Sequence, residues 1–266
     1  HHNIRGDLFI VQQLAEMNSF YIWVCLHQAF DDYASGLSAV QRREWSKVHG
    51  RFEDISFIES PTQMINLIKK SLKNRMKADQ KQLLHKWADK AFQFAIQRQV
   101  DITKLGLNRE TIASIYPLHP ISALALIELC KQYAQNDRTL LSFLCSGDVY
   151  GLPAYLERTN IEKDNKLPSM SLEVLYDYFL NLTTATYISR AESQRWTEIH
   201  NKIQDTFSLS LSDQILLKNI GVLNLLSNKI GFKADVDTLA AVMGLSSESD
   251  RNKLKALLDN HVKQHT

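Results

Sequence analysis

Residues 20–30 read FYIWVCLHQAF: seven apolar residues in a row, then His27 and Gln28. The run is too short, too aromatic and too β-branched for a buried helix. It is too uniformly apolar for a strand with one wet face. It fits a central strand of a parallel sheet, covered on both sides. In open α/β sheets, ligands bind beyond the carboxyl ends of the strands. His27 and Gln28 therefore stand where a water or a terminal phosphate would be met. The alternative is a capped strand end, with both side chains serving loop backbone.

Working outward, LFIVQQLAEM at 8–17 has apolar residues at helical spacing, with Asp7 as N-cap. Asn18-Ser19 breaks it. The spacing of Tyr33, Leu37, Val40 and Trp45 predicts a helix over 31–48, stopped by Gly50. RFEDISFIE alternates Phe52, Ile55 and Phe57 with polar residues, which predicts a second strand at 51–58. Helix, strand, helix, strand is an α/β order, because parallel strands need such crossovers.

Beyond Glu59 the pattern is helical only. Ser60 and Pro61 start a helix over 61–72, and further helices are predicted at 78–98, 109–115, 120–134 and 137–146. Pro117 and Pro120 bracket Leu118-His119. The stretch 151–170, ending NIEKDNKLPSMS, is polar and reads as a linker or an exposed loop. Helices follow at 171–181, 189–206 and 211–227. DVDTLAAVMGLSSESDRNKLKALLDNHV then reads as a helix (235–243), a tight turn at Gly244-Leu245-Ser246, and a helix (247–262) with Ser246 or Ser247 as N-cap. With 211–227 this makes the three-helix core of a winged-helix domain, after which a β-wing is expected. The fold class is thus mostly α with a small α/β portion. Its organisation is an α/β part at 1–60, a helical bundle at 61–150, the linker at 151–170 and a winged-helix-like part at 171–266.

Composition narrows the function. The chain has 266 residues, 44% hydrophobic and 23% charged, an ordinary globular balance. A net charge of +2 does not by itself argue for nucleic acid or a membrane surface. The three cysteines, Cys25, Cys130 and Cys145, form no CxxC pair, which fits a reducing cytoplasm better than a disulfide framework. No apolar run reaches membrane-spanning length, and no basic-then-apolar leader opens the chain, so no signal peptide is expected. His1-His2 reads either as the end of a purification tag or as native sequence where a longer chain was cut.

No GxxxxGK[ST], GxGxxG, HExxH or GxSxG motif occurs. Arg51 lies just before the second expected strand, after a helix carrying Arg42, Arg43 and Lys47. A guanidinium fork suits phosphate and can stabilise charge on a transferring phosphoryl group. A basic helix end also simply complements the helix dipole. In AQNDRTLLSFL, 134–144, Arg138 sits in the first turn of an apolar helix, where positive charge opposes the dipole. That conflict points to an anionic partner, either Asp137, a distant carboxylate or a ligand. The last helix carries Arg251, Lys253 and Lys255 beside Glu248, Asp250 and Asp259. That is a mixed face for DNA, and winged helices also serve as protein-packing modules. His261 and His265, four apart, lack a third metal ligand.

The order of these elements resembles the second half of an AAA+ P-loop ATPase of the origin-recognition-like or STAND-like kind. GDLFIVQQLAE, LHQAFDDYASGLSAVQRREWSKVHGRFEDISFIE and YPLHPISALALIELCKQYAQNDRTLLSFL look like large bacterial ATPases found with restriction and phage-defence genes. The resemblance covers most of 1–150. It implies a remnant of a P-loop parallel sheet, then a helical lid, then a winged helix. It implies that His27 or Gln28 is the polar sensor 1 residue, Arg51 (or Arg42 or Arg43) the arginine finger, and Arg138 the sensor 2 arginine. The cofactor would be ATP with magnesium, and the intact protein a homo-oligomer acting on DNA or a partner protein. The phosphate loop and the acidic Walker B strand are absent here, so the stretch is not expected to hydrolyse ATP unaided. The rival expectation is a non-enzymatic helical and winged-helix scaffold for DNA or protein.

Overall fold

A computed structural model describes residues 13–14, 17, 21, 23, 38–50, 52–53, 60–72, 76–133, 136–159, 167–185, 190–204 and 210–264. The chain divides into two units, His1–Ile58 and Glu59–Thr266.

In the first unit the main described element is α1 (Ala39–His49). Its start is a reciprocal cap. The Gln41 amide N–H donates to the Ser38 hydroxyl at 3.4 Å, and the Ser38 N–H donates to Gln41 Oε1 at 3.1 Å. Arg42 and Arg43 lie on it with exposed side chains. Of the expected strand over 20–26, Tyr21 and Trp23 are described. Neither lies in a strand, and they are 94% and 79% exposed, where a strand covered on both faces would bury such rings. Phe52 and Glu53 are likewise outside any strand. The rest of both stretches lies outside the described residues, as do His27, Gln28 and Arg51.

The second unit is helical. Its elements are α2 (Pro61–Ser71), α3 (Ala78–Gln97), a 3-10 turn (Ile102–Leu105), α4 (Arg109–Ser114), α5 (Pro120–Tyr133), α6 (Asn136–Cys145), α7 (Leu152–Arg158), α8 (Leu172–Ala185), α9 (Arg190–Gln204), α10 (Leu211–Ile230), α11 (Val236–Val242) and α12 (Glu248–Gln264). Among the described residues there is no strand, and the one β pairing is an isolated parallel bridge between Leu118 and Met170. No described helix is long and apolar enough to cross a membrane.

Local chemistry sets the ends. Ser60 caps α2 in a capping box with Gln63, and Pro61 takes the first helical position, where its missing N–H costs nothing. Ser210 and Asp213 do the same for α10, which Gly231 ends at φ 77°. Asn108 and Asp235 cap α4 and α11. Such caps are each worth about 1 kcal/mol.

The core is built around α5. Ile121 to Ile127, Leu129, Cys130 and Tyr133 are all buried, so the helix is covered on every side. It packs against α2, α6, α8 and α10. Each large apolar side chain so buried contributes roughly 1.5–3 kcal/mol. An aromatic group, with Tyr176 stacked on Trp196 at 5.4 Å and Tyr133 tilted against Trp196 at 5.5 Å, fills the space between α5, α8 and α9. One polar residue is fully buried at the α8–α10 crossing. Asn219 accepts from the Leu172 N–H at 2.9 Å and donates to the Ile215 carbonyl at 2.8 Å. One continuous core thus joins helices on both sides of 151–170.

That stretch, expected as a linker or an exposed loop, contains α7 and returns to the core. Met170 is 0% exposed, its N–H donates to the Pro117 carbonyl at 2.8 Å, and its carbonyl accepts from Ser122 Oγ at 2.8 Å. The buried Leu152 of α7 and Met170 account for the difference. The polar run between them masks two apolar anchors that sit at its edges.

Candidate functional site: a groove between the long helix and the helix-turn-helix

The helix α3 has two working faces. Leu84, Ala88, Ala91 and Ala95 recur at intervals of three to four and are buried, and α3 packs on α4. A second stripe, Leu83, Lys86, Trp87, Lys90 and Phe94, forms one wall of an open groove of about 830 Å³. The opposite wall is the helix-turn-helix: Ala241, Gly244, Leu245 and Arg251. Gly244 has φ 69°, which lets the chain turn from α11 towards α12. Leu167 and His119 complete the lining.

His119 is 3% exposed and stands edge-on to the Trp87 ring at 6.1 Å. Its Nδ1 accepts from the Ile121 N–H at 3.3 Å, so the ring proton is on Nε2. Burial pushes its pKa down to about 3, and the ring stays neutral near pH 7. Trp87 also meets Tyr116 edge-on at 5.3 Å. These contacts fix the indole as part of the wall.

Ion pairs hold the two walls in register. Arg98, just past the end of α3, donates to Asp235 at 2.6 Å and to Asp237 at 3.0 Å. Asp237 also pairs with Arg251 of α12 at 3.6 Å. Asp235 serves twice, because it also accepts the Thr238 N–H as the N-cap of α11. Beneath the pairs, Phe94 stacks on Phe232 at 6.2 Å and the Arg98 guanidinium lies over Phe94 at 5.4 Å.

Charge around the groove is not balanced. Arg98 and Arg251 are offset by Asp235 and Asp237, and Asp89 by Arg109 at 3.0 Å. Lys86 and Lys90 have no ion-pair partner among the described residues, and both are exposed.

Of the residues expected from sequence to act on phosphate, Arg138 is described. It lies in the first turn of α6, exposed, with no ion-pair partner among the described residues, and it does not line the groove. The inner side of α6, Leu140, Phe143 and Leu144, is buried. On α12, Lys253 and Lys255 are exposed beside exposed Glu248 and Asp259, and Arg251 is engaged by Asp237. Among the described residues no three His, Cys, Asp or Glu side chains gather as a metal site. Sequence reasoning missed Trp87, Lys86, Lys90 and Leu245. The signal was there: an aromatic and lysine stripe on the α3 side that the buried alanines do not use.

Comparison of the chain with protein-family models, with curated proteins and with solved structures finds no match.

Proposed function

We propose that residues 59–266 form a binding module, in which the groove between α3 and the helix-turn-helix receives a segment of another polypeptide. The observation that carries this reading is the groove itself. Half-buried Leu83, Trp87 and Phe94 face Ala241 and Leu245 across open space, on walls clamped by the Arg98 ion pairs. Apolar surface held apart in this way gains free energy when something covers it. Binding of the apolar dye 1-anilinonaphthalene-8-sulfonate to the native chain tests it. Fluorescence enhancement by the wild type, absent from Ala241→Trp at unchanged Tm, supports the reading. Equal enhancement by both, or none by either, refutes it.

A second reading places the chain in a P-loop ATPase, as its sensor, lid and winged-helix half, with a small α/β portion at 1–60. The observation that favours it is the guanidinium of Arg138 at the start of α6, exposed and without an ion-pair partner among the described residues, which suits a phosphate. ATP with magnesium would supply a γ-phosphate and an attacking water. His27 or Gln28 would orient that water, Arg138 would hold the phosphates from the lid, and Arg51 would reach the nucleotide of a neighbouring subunit. The module would then turn nucleotide state into motion against a partner protein or DNA, as in phage defence. ATPase turnover of the native full-length protein tests this reading. Loss in both Arg138→Ala and Arg51→Ala supports it; a native protein that neither binds nor hydrolyses ATP overturns it.

A further inference from the structure

We infer that the occupant of the groove is an acidic amphipathic polypeptide segment, with an apolar stripe flanked by Asp or Glu. The inference rests on the binding-module reading and adds the chemistry of the partner.

Shape and charge both carry it. The wall from Leu83 to Gln97 is helical, so it runs about 21 Å. That is the length of about four helical turns of a partner. The apolar side chains on this wall, Leu83, Trp87 and Phe94, stand four and seven residues apart, which keeps them on one side of the helix as a ridge for another helix. Trp87 is the anchor type most often found where binding energy concentrates. It is half-buried, with its ring fixed against Tyr116 and His119, so it loses little freedom when covered.

The electrostatic argument follows from the pairs already described. Asp235, Asp237 and Asp89 are each committed to an arginine. What remains on the α3 rim is Lys86 and Lys90, one turn apart and without partners among the described residues. Gln93, Gln97 and Ser246, also at the groove, are neutral. A basic segment would meet two uncompensated like charges; an acidic one would pair with both. A nucleic-acid duplex would engage the lysines but leave Trp87, Phe94 and Leu245 uncovered, because its bases are stacked inward and its phosphates supply no apolar face.

Selection from a displayed library of about 16 random residues, roughly 24 Å as a helix, against the native chain tests the inference. The expected winners carry net negative charge, with apolar residues at i, i+3 and i+4. They lose binding to Ala241→Trp, which fills the groove, and to Ser246→Trp at its exposed rim, which serves should the first variant lower Tm. Lys86→Glu/Lys90→Glu weakens them by about tenfold or more, a loss of about 1.4 kcal/mol. Winners that depend on the groove but are neutral or basic overturn the acidic assignment and leave the binding-module reading in place. No winner sensitive to either tryptophan variant overturns both. A DNA duplex that displaces the peptides, or a groove-dependent dimer of the chain in sedimentation, also overturns the inference by naming a different occupant.

Discussion

Replacing Arg98 with methionine should loosen the groove without emptying the core. The guanidinium makes one bond of 2.6 Å to Asp235 and one of 3.0 Å to Asp237, and lies 5.4 Å from the centre of the Phe94 ring. The side chain is 31% exposed and its partners 42% and 55%, so solvent screens both pairs and neither reaches the value of a buried one. About 0.5–1 kcal/mol for each pair and about 0.5 kcal/mol for the ring contact give about 2 kcal/mol in all. Methionine keeps much of the apolar stem against Phe94, so little packing is lost. For a unit of this size the cost corresponds to a fall in Tm of roughly 4–8 °C. Thermal unfolding at low and high salt measures it. The difference between wild type and variant should shrink as salt screens the pairs. A double-mutant cycle with Asp237→Asn should return a coupling of about 0.5–1 kcal/mol. A Tm within 1 °C of wild type, or a loss indifferent to salt, refutes the claim that this arginine clamps the helix-turn-helix to α3.

Three further outcomes follow from the same structure. Because His119 has a folded pKa of about 3, the unfolded chain binds the extra proton between that value and the ordinary 6.5. Stability supplied by the neutral ring is therefore complete above about pH 6.5. It falls as pH drops towards 3, by up to about 1.4 kcal/mol per pH unit. Urea unfolding of wild type and His119→Gln from pH 7 to pH 4 should show a steeper decline for the wild type; parallel declines contradict it. At the α9–α10 crossing a Cβ on Gly221 would stand 2.6 Å from Ile199 Cγ2. Gly221→Ala should thus destabilise by roughly 1–2 kcal/mol despite the better helix former, and Ile199→Ala in the same chain should relieve part of that loss. Asp235→Asn should preserve the cap of α11 and lose only the charge pair, whereas Asp235→Ala should cost about 1 kcal/mol more in denaturant unfolding.

The helices were legible where the sequence carries its own boundaries. Ser60-Pro61, Ser210 with Asp213, and the turn at Gly244 mark starts and stops by chemistry that acts over three or four residues. The ends of α8 and α10 lie past the expected residues 181 and 227, at Ala185 and Ile230, and for α10 the stop is Gly231, whose left-handed φ of 77° ends the helix. The stretch 151–170 is harder to read, because its polar middle outweighs Leu152 and Met170, the buried residues near its two ends. The groove was not legible at all as a place. Arg98 meets Asp235 and Asp237 across more than half of the second unit, and no local pattern announces such a pairing. What could be read was half of it: an α3 with an alanine stripe for packing and a separate aromatic and lysine stripe. The expected phosphate site rests on His27, Gln28 and Arg51, outside the described residues, and on Arg138, which lies exposed in the first turn of α6.

The most direct test of the account is amide chemical-shift mapping of the native chain during titration with one selected acidic peptide. The account predicts that the largest changes fall on residues 83–97 and 240–251 and vanish in Ala241→Trp. Changes centred instead on the start of α6 around Arg138, or on the outer face of α12 at Lys253 and Lys255, would contradict it.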